Sequence, residues 1–302
     1  MIPFDDLLNK LGYDASPHYH LTNSYLEPET AHLFRSARDA GVDGIYVFET
    51  SSGTHKNFFK PRPVVYVAEA ANEKEARLIH RKMWNLSFAP FLVIKLPHQV
   101  RIYSGFDYSE QEENKGLLSK TEKLEQLNEI LAGLTAESID SGLIWKSAYA
   151  KSIDPGKRVD RCLLRNLERL GYALSNNNGL AYETTHSLIG KYVYLRYLYD
   201  RKILTDEWME GHDIDPGSIF SIKATIPSLK KLVDVLEERF NGRIFPIDFE
   251  NEKTLTDEHI KWVAAVFSGA EIGTSENTSD IIIQLHLEFK AYDFEYIPVE
   301  TL

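Results

Sequence analysis

Pro63-Val64-Val65-Tyr66-Val67-Ala68-Glu69 is followed, after Ala70-Ala71-Asn72, by Glu73 to Leu86 and then by Phe91-Leu92-Val93-Ile94-Lys95. The first and last of these stretches are rich in β-branched and aromatic residues, as strands are. The middle one repeats Ala76, Ile79, His80, Met83 and Trp84 at three- and four-residue spacing, the period of a helix buried along one face. Asn72 stands where an N-cap belongs, with a side-chain oxygen to accept from the first-turn amides. Strand, helix, strand is the reading that decides the fold of this part: a mixed α/β layer.

The pattern continues on both sides. Upstream, Glu29 to Gly41 places Ala31, Phe34, Ala37 and Ala40 on one side of a helix closed by Gly41, and Gly44 to Thr50 reads as a strand. Downstream, Val100-Arg101-Ile102-Tyr103-Ser104 forms a hairpin with Phe91–Lys95 about Pro97-His98-Gln99. The expected order is α-β-β-α-β-β. His18-Tyr19-His20 has the alternation of a ligand pair, but no Cys or carboxylate cluster joins it, and a surface loop is expected. Residues 109–122 are charged and contain Gly116, which reads as a linker.

Beyond about residue 123 the period is helical throughout. Leu124, Leu127, Leu131 and Leu134 begin it, and Val159 to Leu174 continues it until Asn176-Asn177-Asn178-Gly179. Thr185 to Ile203 is apolar around most of its circumference, as the central helix of a bundle is. Leu229 to Phe240 and Ile260 to Phe267 follow, the latter behind Thr256 as N-cap. The expected class is therefore α+β: an α/β domain over 1–108, a linker over 109–122, and a helical domain over 123–302.

The bulk numbers agree with two ordinary domains. The chain has 302 residues, 43% of them hydrophobic and 26% charged, a globular rather than a disordered composition. No apolar run reaches the roughly 18 residues that span a bilayer, and Asp5-Asp6 stand where a signal peptide is basic. A single cysteine, Cys162, excludes an intrachain disulfide and fits a reducing cytoplasm. The formal charge of −11 repels nucleic acid, so DNA contact requires a local patch. Lys56-Asn57-Phe58-Phe59-Lys60-Pro61-Arg62 combines cations with stacking aromatics and is the first candidate, extended by Arg77, Arg81 and Lys82.

Methyl-transfer signals are absent. A site for S-adenosylmethionine needs a Gly-rich turn after a strand, and an adenine N6-methylase needs an Asn/Asp-Pro-Pro-aromatic loop. Neither occurs here, so the chain alone is not expected to methylate. Even so, Thr185-His186-Ser187-Leu188-Ile189-Gly190-Lys191-Tyr192-Val193-Tyr194-Leu195-Arg196-Tyr197-Leu198-Tyr199-Asp200-Arg201-Lys202-Ile203-Leu204 resembles a helix in the N-terminal part of N6-adenine DNA methyltransferases of the type I and type IIG restriction–modification kind. Phe245-Pro246-Ile247 and the terminal Ile297-Pro298-Val299-Glu300-Thr301-Leu302 follow in that family's order. Within the helix, Arg196 and Asp200 lie one turn apart and are expected to pair.

The resemblance implies the DNA-handling or docking half of a site-specific methyltransferase from a restriction–modification or antiphage-defence system. S-adenosylmethionine would bind a catalytic domain expected to follow this chain, with Tyr292, Phe294, Tyr296 and Ile297 as an exposed docking tail. The implied partners are DNA and that catalytic domain or subunit, with no membrane. No cofactor is expected in this chain itself.

The N-terminal order also resembles the PD-(D/E)XK nuclease core that precedes the methylase in many type IIG enzymes. Two carboxylates there hold Mg²⁺ while a lysine orients the attacking water. The acids would be Asp43 or Glu49, then Glu69. Ala71 stands where the lysine belongs, leaving Lys56 or Lys60 as replacements. A degenerate core without a metal is expected. The alternatives are a Mg²⁺-dependent nuclease with a displaced lysine, or a non-catalytic protein-binding subunit.

Overall fold

The computed structural model describes residues 2–24, 31–48, 62–240, 242–268 and 291–297. The fold is α+β, a six-stranded mixed sheet accompanied by helices. The chain divides into two compact units. One comprises the described residues up to Asp160 with Tyr296 and Ile297, the other those from Arg161 to Glu295.

The first unit begins with α1 (Phe4–Leu11), β1 (Tyr19–Leu21), α2 (Ala31–Asp39), β2 (Gly44–Phe48) and β3 (Arg62–Glu69). It continues with α3 (Glu73–Leu86), β4 (Phe91–Lys95), β5 (Val100–Ser104), β6 (Leu117–Thr121) and α4 (Leu124–Leu131), then the short α5 (Ala136–Asp140) and α6 (Ala148–Ser152). The strands lie side by side in chain order. All neighbours are antiparallel except β3 and β4, which run parallel because α3 carries the chain back across the sheet. Asn72 caps α3 as the sequence indicates, accepting from the Glu75 amide at 3.0 Å.

β3 is buried on both faces from Pro63 to Ala68, which explains its unbroken apolar run. On one side Tyr66, Ala68, Leu92 and Ile94 pack with Phe34 and Ala37 of α2 and Ala76, Ile79 and Met83 of α3. On the other, Val65, Val67, Phe91, Val93 and Ile102 pack with Leu7, Leu8 and Leu11 of α1 and Leu127 and Leu131 of α4. Tyr13 ties the second layer together by donating its hydroxyl to the Leu134 carbonyl at 2.6 Å.

Three sequence expectations change here. The stretch 109–122 is no linker, because its second half is β6, paired with β5. The turn before it is locked: Ser104 N–H donates to the Gly116 carbonyl at 2.7 Å, and Gly116 sits at φ 76° with no room for a Cβ beside the Asp107 carbonyl. The α/β unit therefore runs through α4, α5 and α6 instead of stopping at 108. His18-Tyr19-His20, expected in a surface loop, instead leads into β1 on β2, and Tyr19 packs against the Cα of Gly44. Finally α1 was missed: eight residues with only Leu7, Leu8 and Leu11 buried give too short a period to stand out.

The second unit is helical among its described residues. Its elements are α7 (Val159–Tyr172, whose first two residues belong to the first unit), α8 (Tyr182–Asp200), α9 (Asp206–Glu210), α10 (Gly217–Phe220), α11 (Ile226–Phe240) and α12 (Asp257–Ser268). α8 buries Leu188, Tyr192, Leu195 and Leu198, and the Tyr192 hydroxyl donates to the Ile219 carbonyl at 3.1 Å. α8 packs on α12, and α10 packs on both α11 and α12.

Candidate functional site at the strand ends

The antiparallel β2–β3 pair and the parallel β3–β4 pair bring three charged groups to one end of the sheet. Asp43 immediately precedes β2, Glu69 ends β3 and Lys95 ends β4. Glu69 and Lys95 are register partners, so their side chains leave the same face and form an ion pair. Lys95 is buried while half of the Glu69 side chain remains exposed. Asp43 accepts the Glu69 amide on Oδ2 at 2.7 Å. Burial pushes the Asp43 carboxyl above its ordinary value; the Glu69 amide opposes this, and the charges of Glu69 and Glu75 add to it.

A second buried cation lies on the other face of the same end. Arg101 of β5 pairs with Glu73 in the first turn of α3, and also donates to the Tyr103 hydroxyl at 3.2 Å and to Gln99 Oε1 at 3.0 Å. At the position of the missing lysine, the Ala71 amide donates to Glu75 Oε2 at 2.8 Å.

The sequence candidates are dispersed relative to this site. Asp43 and Glu69 are brought together. Glu49, Lys56 and Lys60 lie outside the described residues. Their anchors, Phe48 and Arg62, pair with each other at the opposite end of β2 and β3, about 23 Å of strand from Glu69. Arg77 donates to the carbonyls of Ser109 and Glu110, at 2.9 and 2.7 Å, and stacks on Tyr108. Arg81 pairs with Glu110 at 3.4 Å. Lys82 donates to the Asp39 carbonyl and lies over the Tyr296 ring. These three cations fasten the chain to itself.

The expected docking tail is likewise covered: Tyr292, Phe294, Tyr296 and Ile297 are all buried. Within the second unit Asn166 donates to the Tyr292 hydroxyl at 2.8 Å, Asp200 accepts the Phe294 amide at 3.1 Å, and Arg201 donates to the Phe294 carbonyl at 3.3 Å. Within the first unit the Tyr296 hydroxyl donates to the Asp39 carbonyl at 3.2 Å. Aromatic side chains flanked by backbone groups that find partners on the same chain have no reason to stay in water.

Lys95 and Arg101 are not legible from spacing along one strand, because register between strands brings them to their acids. The usable signal was two strands, Pro63–Glu69 and Phe91–Lys95, each ending in a charge of opposite sign; a parallel alignment pairs those ends.

Chemically, the strand-end group is a carboxylate ion-paired with a buried ammonium, beside a second carboxylate that accepts a backbone amide. One Asp43 oxygen holds an amide and Glu69 is engaged by Lys95. Among the described residues no three His, Cys, Asp or Glu side chains are grouped so that they could hold a metal ion. No helix among the described residues is long and apolar enough to cross a membrane. Compared with family models, with curated proteins and with solved structures, the chain matches none.

Proposed function

We propose that this chain is the DNA-handling half of a site-specific adenine-N6 DNA methyltransferase of a restriction–modification or antiphage-defence system, with a nuclease-like N-terminal unit that does not cut. The observation that carries the reading is the strand-end group. The order helix, two antiparallel strands, crossover helix and parallel strand, with Asp43 accepting the Glu69 amide at one sheet end, supports the likeness to a PD-(D/E)XK core. The lysine absent at Ala71 has a candidate counterpart on the neighbouring strand, where Lys95 pairs with Glu69, and this pairing supports a core that does not cut.

A second line of support lies in the helical unit, where the motif residues resembling the methylase family interact. Arg196 and Asp200 pair at 2.9 Å, and Asp200 and Arg201 both hold the backbone of Phe294, three residues ahead of Ile297-Pro298. S-adenosylmethionine and the catalytic domain belong to the resemblance alone.

The test is gel-shift binding of the 302-residue chain to duplex DNA at low and at physiological salt, with plasmid incubated in Mg²⁺ alongside. Binding that weakens with salt while the plasmid stays intact is expected. No binding at either salt would sink the DNA-handling reading and leave the protein-binding subunit. The alternative of a Mg²⁺-dependent nuclease with a displaced lysine is tested by the same plasmid assay. Mg²⁺-dependent nicking lost in both Glu69→Ala and Lys95→Ala would establish it.

A further inference from the structure

In the helical unit one cation is buried with a poorly matched partner. Lys191 of α8 leaves 3% of its side chain exposed, and its partner is Glu237 of α11, at 3.4 Å. That is long for a charge-assisted bond, which closes to about 2.7–2.9 Å, and an ammonium has three N–H groups to place. Glu237 is also shared: its other carboxylate oxygen pairs with Arg243, again at 3.4 Å. Two cations thus divide one carboxylate, each through a long contact. Burial pushes the Lys191 ammonium below its ordinary value, and the attraction of Glu237 offsets part of this; the exposed Asp234 adds the weakest pull.

Lys191 opens onto a groove between α8 and α11, a shallow space of about 270 Å³ open to solvent along one side. Its walls are apolar, with Leu195, Val233, Leu236 and Phe240 on the two helices. The segment Gly242 to Phe245 makes the third wall: Ile244 lines the groove, and the Phe245 ring rests on Gly190, the residue before Lys191. Phe240, Ile244 and Phe245 are exposed, so apolar surface continues from the groove to the outside. Tyr194, one turn beyond Lys191, also lines the groove, and its hydroxyl makes no hydrogen bond among the described residues.

We infer that this groove binds a small carboxylic acid with an apolar chain, the carboxylate beside Lys191 and Tyr194 and the chain along Leu236, Phe240 and Ile244. A second carboxylate gives each cation a partner of its own. The buried ammonium gains most, because its hydration is already lost. Tyr194 supplies a hydroxyl that can donate to the same carboxylate. A more highly charged anion such as phosphate fits less well, since its remaining oxygens would lie unpaired against Leu195 and Val233. Concave, mainly apolar walls with a few convergent polar groups are the usual make-up of a small-molecule site. The site lies within the helical unit and is independent of the DNA-handling reading.

The experiment is methyl-detected NMR of the 302-residue chain titrated with hexanoate, with hexanol and acetate as parallel titrants. Shifts of the Val233, Leu236 and Ile244 methyls should report hexanoate binding with a dissociation constant of about 1 mM or below. Hexanol lacks the charge and acetate lacks the chain, so each should bind about tenfold more weakly. Lys191→Met keeps the length of the side chain and should weaken hexanoate about tenfold while leaving hexanol unchanged. Tyr194→Phe leaves the buried charge in place and should weaken hexanoate about threefold, so the site can be read even where Lys191→Met does not fold. Lys223→Gln, which removes an exposed lysine elsewhere in the unit, should match wild type. Equal binding of hexanoate and hexanol, or hexanoate binding unchanged in a folded Lys191→Met, would overturn the assignment to an acid. No methyl shift up to about 20 mM hexanoate would overturn the site altogether. Neither result bears on the gel shift, so the two readings fail separately.

Discussion

The sheet unit and the helical unit place their charges in opposite ways. In the sheet unit two cations, Lys95 and Arg101, are buried at strand ends and matched by acids from another strand or helix. In the helical unit the arginines of α7 line a helix exterior, and the Arg196–Asp200 pair joins neighbours one turn apart. The buried Lys191, held by Glu237 of α11 at 3.4 Å, is the exception. A helix displays its charge pattern in linear spacing; a sheet assembles its own from residues 26 and more apart. The sheet unit should accordingly be the more sensitive to single changes, and four measurements can break or sharpen that contrast.

The largest expected effect is at Gly116. Any side chain there adopts a left-handed backbone, and its Cβ would stand 2.0 Å from the Asp107 carbonyl oxygen, which is backbone and cannot swing away. Gly116→Ala should cost about 3 kcal/mol, from the left-handed penalty of 1–2 kcal/mol together with displacement of the turn. Its counterpart in the helical unit, Gly190→Ala, keeps a helical backbone and meets the ring of Phe245 at 2.5 Å, a side chain and not a carbonyl, so it should cost less, about 1–2 kcal/mol. Denaturant unfolding, with amide exchange read at β5 and β6, checks the pair. Equal costs would mean that the Gly116 turn is held no more tightly than the Gly190 face of α8.

His80 sharpens the contrast through pH. Its ring is buried against Tyr103 and Tyr108, and Nε2 bonds the Ser104 carbonyl at 2.9 Å. Burial pushes its pKa down from 6.5 to about 4, more than the Ser104 carbonyl and Asp107 raise it. Below pH 6.5 the unfolded chain takes up a proton that the folded chain refuses until about pH 4. The contribution is complete above 6.5 and is lost as pH falls toward 4, to a total of about 3 kcal/mol at 1.4 kcal/mol per unit. Unfolding measured at pH 7 and pH 4.5 should differ more for wild type than for His80→Gln. Identical pH dependence would mean that the ring reaches water.

These examples mark what was legible in the sequence. The helix Glu73–Leu86, its Asn72 cap and the hairpin Phe91–Ser104 follow from local period and composition, and the structure places them there. So does the Arg196–Asp200 pair, an i,i+4 contact. β6 was hidden because Glu110 to Gly116 reads as loop and its own five residues, Leu117 to Thr121, alternate only weakly between exposed and buried. Of the strand-end site, the acids Asp43 and Glu69 were legible and the lysine was not, because Lys95 joins them through the β3–β4 register, which no spacing along one strand encodes. The tail was misplaced for a related reason: aromatic content shows that Tyr292 and Phe294 must be buried somewhere, but not that α7 and α8 offer the hydrogen bonds that accept them.

The ion pair at the strand ends should respond asymmetrically. Glu69→Gln removes the partner of a buried ammonium, and an uncompensated buried charge costs about 3 kcal/mol or more; the half-exposed position of Glu69 admits water and lowers this to about 2 kcal/mol. Lys95→Met removes the buried charge itself and leaves a carboxylate that water can reach, so it should fall within about 1 kcal/mol of wild type. Urea midpoints of both variants decide. Equal losses would mean that Glu69 and Lys95 stabilise the sheet as a mutual pair, and that the asymmetry of burial has no energetic weight.

The smallest effect belongs to Asp200. It joins two pieces of the helical unit, accepting from Arg196 one turn earlier and from the amide of Phe294. Asp200→Asn keeps the size and one acceptor oxygen, so the Phe294 amide retains a partner while the charge attraction to Arg196 is lost. Arg196 is a quarter exposed and becomes hydrated when released, and the cost should be about 1 kcal/mol. Near-neighbour pairing on a helix is thus expected to be more forgiving than the register pairing of Glu69 with Lys95. A loss in Asp200→Asn as large as that in Glu69→Gln would remove the difference between the units. It would also make Asp200 a structural keystone, which is what a motif linking a helix to the segment before Ile297-Pro298 would have to be if that segment must be held in one place.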